Sequence, residues 1–288
     1  MINILGVEIE FIRLSKLVEI ALTSLKSSTI TVMKRILVPT DFSEQSMDAI
    51  ASAATLLQKV EGEIIILHVI TGVEDPMEKE EAMEKIFEIT ELQGLPHHFK
   101  QVVGKPIDSI LAEPVDMIVM GSKGAKGFQS FFIGTNAEKV AKHAKCPVFI
   151  LKNKCNLGNV KSIVFPTSMK RDDEDVIEDV RNLQKIYGAK LHIVKAYDDS
   201  LVKQFDVEKR LKEYAEFHQI ENYSVSGRPG IDESDVIIRF AQEINADLIA
   251  MATHDRKGIG KLFGGFISGD VINTNQKPLW VKSLHYDF

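Results

Sequence analysis

This chain of 288 residues is short of cysteine, has a single tryptophan and carries no surplus of positive charge. Two cysteines, Cys146 and Cys155, are too few for a disulfide framework and stand at no metal-ligand spacing. Cys146 directly precedes an apolar run and reads as a small packed residue, which fits a reducing cytoplasm. A net charge of −6 gives no electrostatic support to nucleic-acid binding. No apolar run reaches membrane length. The first 32 residues carry Phe11, Leu14, Leu17, Val18, Ala21, Leu22 and Leu25 at helical spacing, but Glu8, Glu10, Arg13, Lys16 and Glu19 interrupt them. They also lack the basic start and unbroken apolar centre of a signal peptide. Residues 1–32 therefore read as an N-terminal extension. Either they form an accessory amphipathic helix or Met33 is the true start, and the intact mass of the natively expressed protein distinguishes the two. Neither a membrane nor a nucleic acid is expected as a partner.

Against these absences stands an ordinary globular composition, 44% hydrophobic and 26% charged, at a length that suits two domains. The most informative segment is Met120-Gly121-Ser122-Lys123-Gly124, followed by Gly134-Thr135. It reads G-x2-G-x9-G-T directly after the apolar run 115–120. A short apolar run closed by glycine reads as a buried strand. Glycines beyond it let backbone N–H groups approach an anion, because no Cβ intervenes. Thr135 opens a helical stretch, and a helix N-terminus suits phosphate. The loop closes on Ile133-Gly134-Thr135-Asn136, so it lacks the Gly-Lys-Ser/Thr of the P-loop, and it is not the dinucleotide G-x-G-x-x-G. Spacing alone is equally compatible with a glycine-rich turn that only packs a helix on a sheet.

The chain repeats itself. Ile36-Leu-Val-Pro-Thr40 recurs as Ile163-Val-Phe-Pro-Thr167, Leu67-His68-Val69 as Leu191-His192-Ile193, and the run 115–120 as 246–251. Pro147 recurs as Pro278. A period of this length marks a duplicated domain, since solenoid units repeat every ~20–50 residues.

Met33-Lys-Arg-Ile-Leu-Val-Pro-Thr-Asp-Phe-Ser-Glu44, the Leu67-His68-Val69 strand end, the glycine loop and Cys146-Pro-Val-Phe-Ile-Leu151 together resemble the universal stress protein family. The resemblance runs over 33–152 and resumes at about 160. It implies α/β architecture in two tandem universal-stress-protein-like (adenine nucleotide alpha hydrolase-like) domains. Each would be a five-stranded parallel sheet of order 3-2-1-4-5 sandwiched by helices, covering 33–152 and 160–288 with a linker at 153–159.

Alternation of apolar strands with helical stretches supports a parallel sheet. Strands are expected near 36–39, 63–70, 98–103, 115–120 and 148–152, then near 162–166, 190–196, 222–225, 248–251 and 279–282. Helices are expected near 44–58, 77–92, 107–112 and 135–143, then near 173–186, 200–218, 235–244 and 267–273. Ligands of open α/β sheets bind where neighbouring strands send their connections apart. In the implied strand order that point lies between strands 1 and 4, where Pro39-Thr40-Asp41 meets the glycine loop.

The resemblance implies an ATP site, with or without Mg²⁺. Asp41 would accept hydrogen bonds from the adenine or ribose side. Pro39 and Thr40 would shape the adenine wall, and Val69 would pack on the base. Met120 and Gly121 would line the floor, and Ser122, Lys123 and Gly124 would approach ribose and phosphate. Gly134, Thr135 and Asn136 would hold phosphate oxygens. Plain alternatives stand beside these roles: Asp41 as a helix-start turn residue, Val69 as core, and Lys123 and Lys126 as solvated side chains. His68, inside an apolar strand, reads as a buried structural histidine rather than a general base, and His97 and His98 as a solvated strand start. No residue is assigned to catalysis or to a metal.

The second half departs from the binding pattern. Ser168 stands for Asp41, Ala252 for Gly121, Asp255 for Gly124 and Phe266 for Thr135, with Gly265 retained. A carboxylate beside polyphosphate is repulsive. The first half is thus expected to bind ATP and the second to bind far less. The resemblance implies that the second half serves as a pseudo-dimer partner through the last strands, 148–152 and 279–282, with Trp280 contributing, and such pairing removes an exposed edge. Homodimerisation of whole chains is a further option. The expected function is a nucleotide-binding stress-response regulator that acts through a protein partner. Phosphoryl transfer needs a positioned metal and a residue orienting the nucleophile. No acidic residue lies between Gly121 and Ala137, so at most a slow ATPase or phosphotransferase is expected. A nucleotide-free scaffold is the other alternative. The His-x-Gly-His signature of adenylyl-transferring folds is absent.

Overall fold

The computed structural model describes residues 34–72, 79–122, 135–169, 174–198, 200, 203–253 and 277–283. The extension 1–32 and the helix expected at 267–273 lie outside the described residues. The first half contains β1 (Lys34–Thr40), α1 (Glu44–Leu57), β2 (Gly62–Ile70) and α2 (Lys79–Phe87). A 3₁₀ turn (Thr90–Leu92), β3 (His97–Val103), α3 (Pro106–Ala112), β4 (Met117–Gly121), α4 (Thr135–His143) and β5 (Val148–Leu151) follow. The second half contains β6 (Ser162–Pro166), α5 (Glu174–Tyr187), β7 (Lys190–Tyr197), α6 (Gln204–Phe217), β8 (Tyr223–Pro229), α7 (Glu233–Glu243), β9 (Leu248–Thr253) and β10 (Leu279–Ser283).

The strands form one ten-stranded sheet of order β3-β2-β1-β4-β5-β10-β9-β6-β7-β8. Each half has the order 3-2-1-4-5, parallel throughout, and the halves join where β5 and β10 run antiparallel. Strands buried on both faces need near-continuous apolar runs. Ile36 to Val38, Ile64 to Leu67 and Ile118 to Met120 supply them, and all are nearly inaccessible. Alternation divides these side chains between two layers. Ile36, Val38, Ile64 and Ile66 face α1 on one side, while Leu37, Ile65 and Leu67 face α3 and α4 on the other. The second half adds α5 and α6 to the first layer and α7 to the second, so each core layer runs through both halves.

The segment expected to be a plain linker is bound to the first half. Lys154 N–H donates to Asp48, Cys155 N–H to Ser52 Oγ and Gly158 N–H to Thr55 Oγ1. The Lys154 ammonium pairs with Glu91, and Leu157 is fully buried. A row of polar side chains on α1 thereby holds the chain as it crosses to β6.

Strand register corrects one element of the repeat. Leu67-His68-Val69 does not correspond to Leu191-His192-Ile193. In the first half Leu37 lies beside Ile65 and Thr40 beside His68. In the second, Val164 lies beside His192 and Pro166 beside Val194. With Pro39 matched to Pro166, His192 takes the place of Ile65, and the counterpart of His68 is Lys195. Three residues of slip place the two imidazoles on opposite faces, as a period of two requires. His68 meets Phe42 in the α1 layer, and His192 meets Phe240 in the α7 layer.

Candidate functional site

A crevice of about 500 Å³ opens at the carboxyl ends of β1, β2 and β4, where the connections from β1 and β4 diverge. The expected residues Pro39, Thr40, Asp41, Val69, Met120, Gly121 and Asn136 line it. Lys123, Gly124 and Gly134 lie outside the described residues, and Thr135 is described as the first residue of α4. Ser122 is not part of the described lining of the crevice. It is buried at 3% exposure, and its N–H donates to the Leu151 carbonyl at 2.7 Å, which continues the β4–β5 ladder one residue past the strand.

Gly121 has a reason of its own. A Cβ there would stand 2.1 Å from the Gln45 carbonyl oxygen. The glycine therefore lets the end of β4 meet the first turn of α1. Its counterpart in the second half, Ala252, already carries a Cβ.

Asp41 serves the loop as well as the crevice. Its Oδ1 accepts from Ser43 N–H at 3.1 Å and from Ser43 Oγ at 2.5 Å. This is the Asx arrangement that opens a helix. Thr40 Oγ1 accepts from Phe42 N–H at 3.0 Å and lies 3.0 Å from Ser46 Oγ. The imidazole of His68, 6% exposed, has Nδ1 at 2.9 Å from the Thr40 carbonyl oxygen. A carbonyl only accepts, so Nδ1 carries the proton. The expectation of a buried, partnered His68 holds, and so does that of solvated His97 and His98.

Sequence reasoning missed Ser43, Gln45 and Ser46 at the start of α1, Thr71 beyond β2, and Pro106 and Ile110 on α3. All follow carboxyl ends of strands, the signal that could have found them. The N-termini of α1 and α4 also face this opening, through Gln45, Ser46 and Asn136. Partial positive charge from two helix ends thus meets a lining in which Asp41 is the one acidic side chain among the described residues.

A larger crevice, about 590 Å³, lies between residues 155–160, the end of α7 and Pro278. Two of its polar side chains hold the fold together. Asp247 accepts from the N–H groups of Lys161 and Ser162, and Asn245 accepts from the Lys277 ammonium. The thiols offer no reactive centre, since burial pushes both Cys146 and Cys155 up to about 11. Among the described residues no cluster of His, Cys, Asp or Glu is arranged to hold a metal, and no helix is long and apolar enough to cross a membrane.

Comparison with known proteins follows the same division into halves. The pattern of the universal stress protein family matches residues 33–152 and again 159–282. One universal stress protein of Methanocaldococcus jannaschii is 30% identical over 155 residues, which span 42% of this chain and 96% of that protein. A universal stress protein of Thermus aquaticus is 29% identical over 137 residues, 42% of this chain and all of the other. Among solved structures, a universal stress protein from Archaeoglobus fulgidus superposes with a TM-score of 0.66 at 23% identity, covering 86% of this chain and 98% of its own.

Proposed function

We propose, for a chain that belongs to the universal stress protein family in both of its halves, that the first half binds one adenine nucleotide, ATP, and that the second half serves it as a structural partner. The observation that carries this reading is the crevice of about 500 Å³ between β1 and β4, within the ~300–1,000 Å³ usual for small-ligand sites. Its apolar lining, Leu67, Val69, Ile110 and Met120, suits a flat base. Its helix N-termini suit phosphate, as does the glycine loop that starts at Gly121. Asp41 would accept from the sugar or base, and Asn136, at the start of α4, would meet the phosphates.

The reading is of binding, not of efficient catalysis. Asp41, the acidic group of the described lining, already accepts two hydrogen bonds from Ser43. A Mg²⁺ would then be held mainly by the phosphates. Nucleotide would alter a surface that a regulatory protein reads. The second half retains the β6 turn but carries Ser168 and Ala252 in place of Asp41 and Gly121.

Mass spectrometry of nucleotide released from the purified chain, with ATP calorimetry, tests the proposal. One nucleotide per chain is expected, lost in Gly124→Asp, which copies Asp255 into the first half. Absence of both nucleotide and heat, with and without Mg²⁺, would overturn the reading. Two equivalent nucleotides per chain would overturn the asymmetry between the halves.

A further inference from the structure

The turn that carries Asp41 is built twice in this chain, and among the described residues the rings that meet it in the first copy, at positions 68 and 99, have no ring in their places in the second. In the first half Phe42 has φ 56°, in the left-handed region, and its N–H donates to Thr40 Oγ1. In the second half Met169 has φ 60°, and its N–H donates to Thr167 Oγ1 at 2.9 Å. The backbone of the turn is therefore architectural, and both halves keep it. The side chains differ as a group. The Phe42 ring lies 5.1 Å from the His68 imidazole and meets Phe99 edge-on at 6.1 Å. By strand register the corresponding residues in the second half are Met169, Lys195 and Val225, none of them a ring. Lys195 turns to Glu233 at 3.7 Å. The carboxylate is lost in the same place, Ser168 for Asp41.

A ring cluster needed only to fill the core would have no reason to vanish together with the carboxylate beside it. We infer that His68 and Phe42 are positioning residues for nucleotide binding. His68 Nδ1–H fixes the Thr40 carbonyl, the last of β1, while its ring packs at a tilt against Phe42 on the other side of Asp41. The carboxylate is thereby held between two fixed points and needs no reordering when ligand arrives, the general source of affinity in a pre-organised site. His68 also lines the crevice itself. The inference rests on the nucleotide reading above, and its test separates the two.

Long-range ¹H–¹⁵N NMR of the full chain without ligand reads the imidazole directly. The Nδ1–H form is expected for His68, and an Nε2–H neutral form would overturn the clamp whatever the nucleotide result. ATP calorimetry is then compared for wild type, His68→Asn and Phe42→Met. The asparagine keeps a donor near the Nδ1 position but removes the ring, and the methionine copies the second half. Each is expected to weaken ATP by about tenfold, the loss of one well-placed contact. Amide exchange at Asp41 and Ser43 should quicken in both variants. Affinity within twofold of wild type in folded variants would reduce the rings to packing and overturn the inference. Failure of wild type to bind ATP would overturn the nucleotide reading, and with it this role.

Discussion

A methyl group at position 121 has no room. Its Cβ would stand 2.1 Å from the Gln45 carbonyl oxygen, which belongs to backbone and cannot rotate away. Gly121→Ala must push the first turn of α1 off β4. Overpacking of this kind costs about 1–3 kcal/mol. A drop of that size in urea stability is expected, together with weaker ATP binding, because Gln45 and Ser46 line the crevice. Unchanged stability would mean that α1 already tolerates the displacement. His192 makes a second prediction at this scale. Burial, with Lys190 nearby, lowers its pKa from the ordinary 6.5. The unfolded chain therefore takes up this proton first. The contribution to stability is complete above about pH 6.5 and is lost as pH falls toward the lower folded value. Urea midpoints between pH 7 and 5 should fall less steeply for His192→Gln than for wild type; identical slopes would remove His192 from the acid response. The slip between His68 and His192 also belongs here. Leu-His followed by a β-branched residue fits any buried strand, so the triplet carried no register, which only the pairing with β1 and β6 supplies.

At the scale of elements, α4 shows how one half supports the other. Its N-terminus opens on the crevice, and its C-terminal Lys142 carbonyl accepts from Ser283 Oγ on β10 at 2.7 Å. Lys282, beside it, reaches the Lys145 carbonyl and Asp179. A cation near a helix C-terminus is favourable, and the last carbonyls need donors. Ser283→Ala should cost about 0.5–1.5 kcal/mol by urea unfolding, and no loss would show that water replaces the hydroxyl. Elements with strong periodicity were legible from sequence. Residues 135–143 and 162–166 match their expected bounds, and α1 ends within a residue of expectation. The misses have physical causes. The helix expected over 77–92 stops at Phe87, because Ile89 takes an extended conformation, 9% exposed, before the 3₁₀ turn at Thr90. β8 runs on to Pro229 through Gly227, residues that argue against a strand interior. It is an edge strand, where a missing N–H is tolerated. The crevice was legible where a motif marked it, at Pro39-Thr40-Asp41 and Met120-Gly121. At Thr71, Pro106 and Ile110 no motif marks it, and only their position after carboxyl ends of strands could have pointed to them.

For the whole molecule, the junction between β5 and β10 decides whether the two halves behave as one. Leu279 lies beside Ile150, Trp280 beside Phe149 and Val281 beside Val148, all buried. Trp280 also neighbours Ala250 of β9 and is 1% exposed, so it sits within the sheet where the two halves share a core layer. Each half alone would expose the edge of its last strand, and the antiparallel pairing closes both. Core continuity on both faces then predicts a single cooperative transition rather than two domain transitions. Trp280 is the one tryptophan in the chain, so its fluorescence reports this junction alone while far-UV circular dichroism reports all the helices and strands. The two signals should share one urea midpoint. Trp280→Ala removes the largest fully buried side chain and should cost about 3–5 kcal/mol. If the junction couples the halves, that loss lowers the single midpoint seen by circular dichroism without dividing it. Separate midpoints in the wild type would mean that each half is stable alone and that β5 and β10 merely dock.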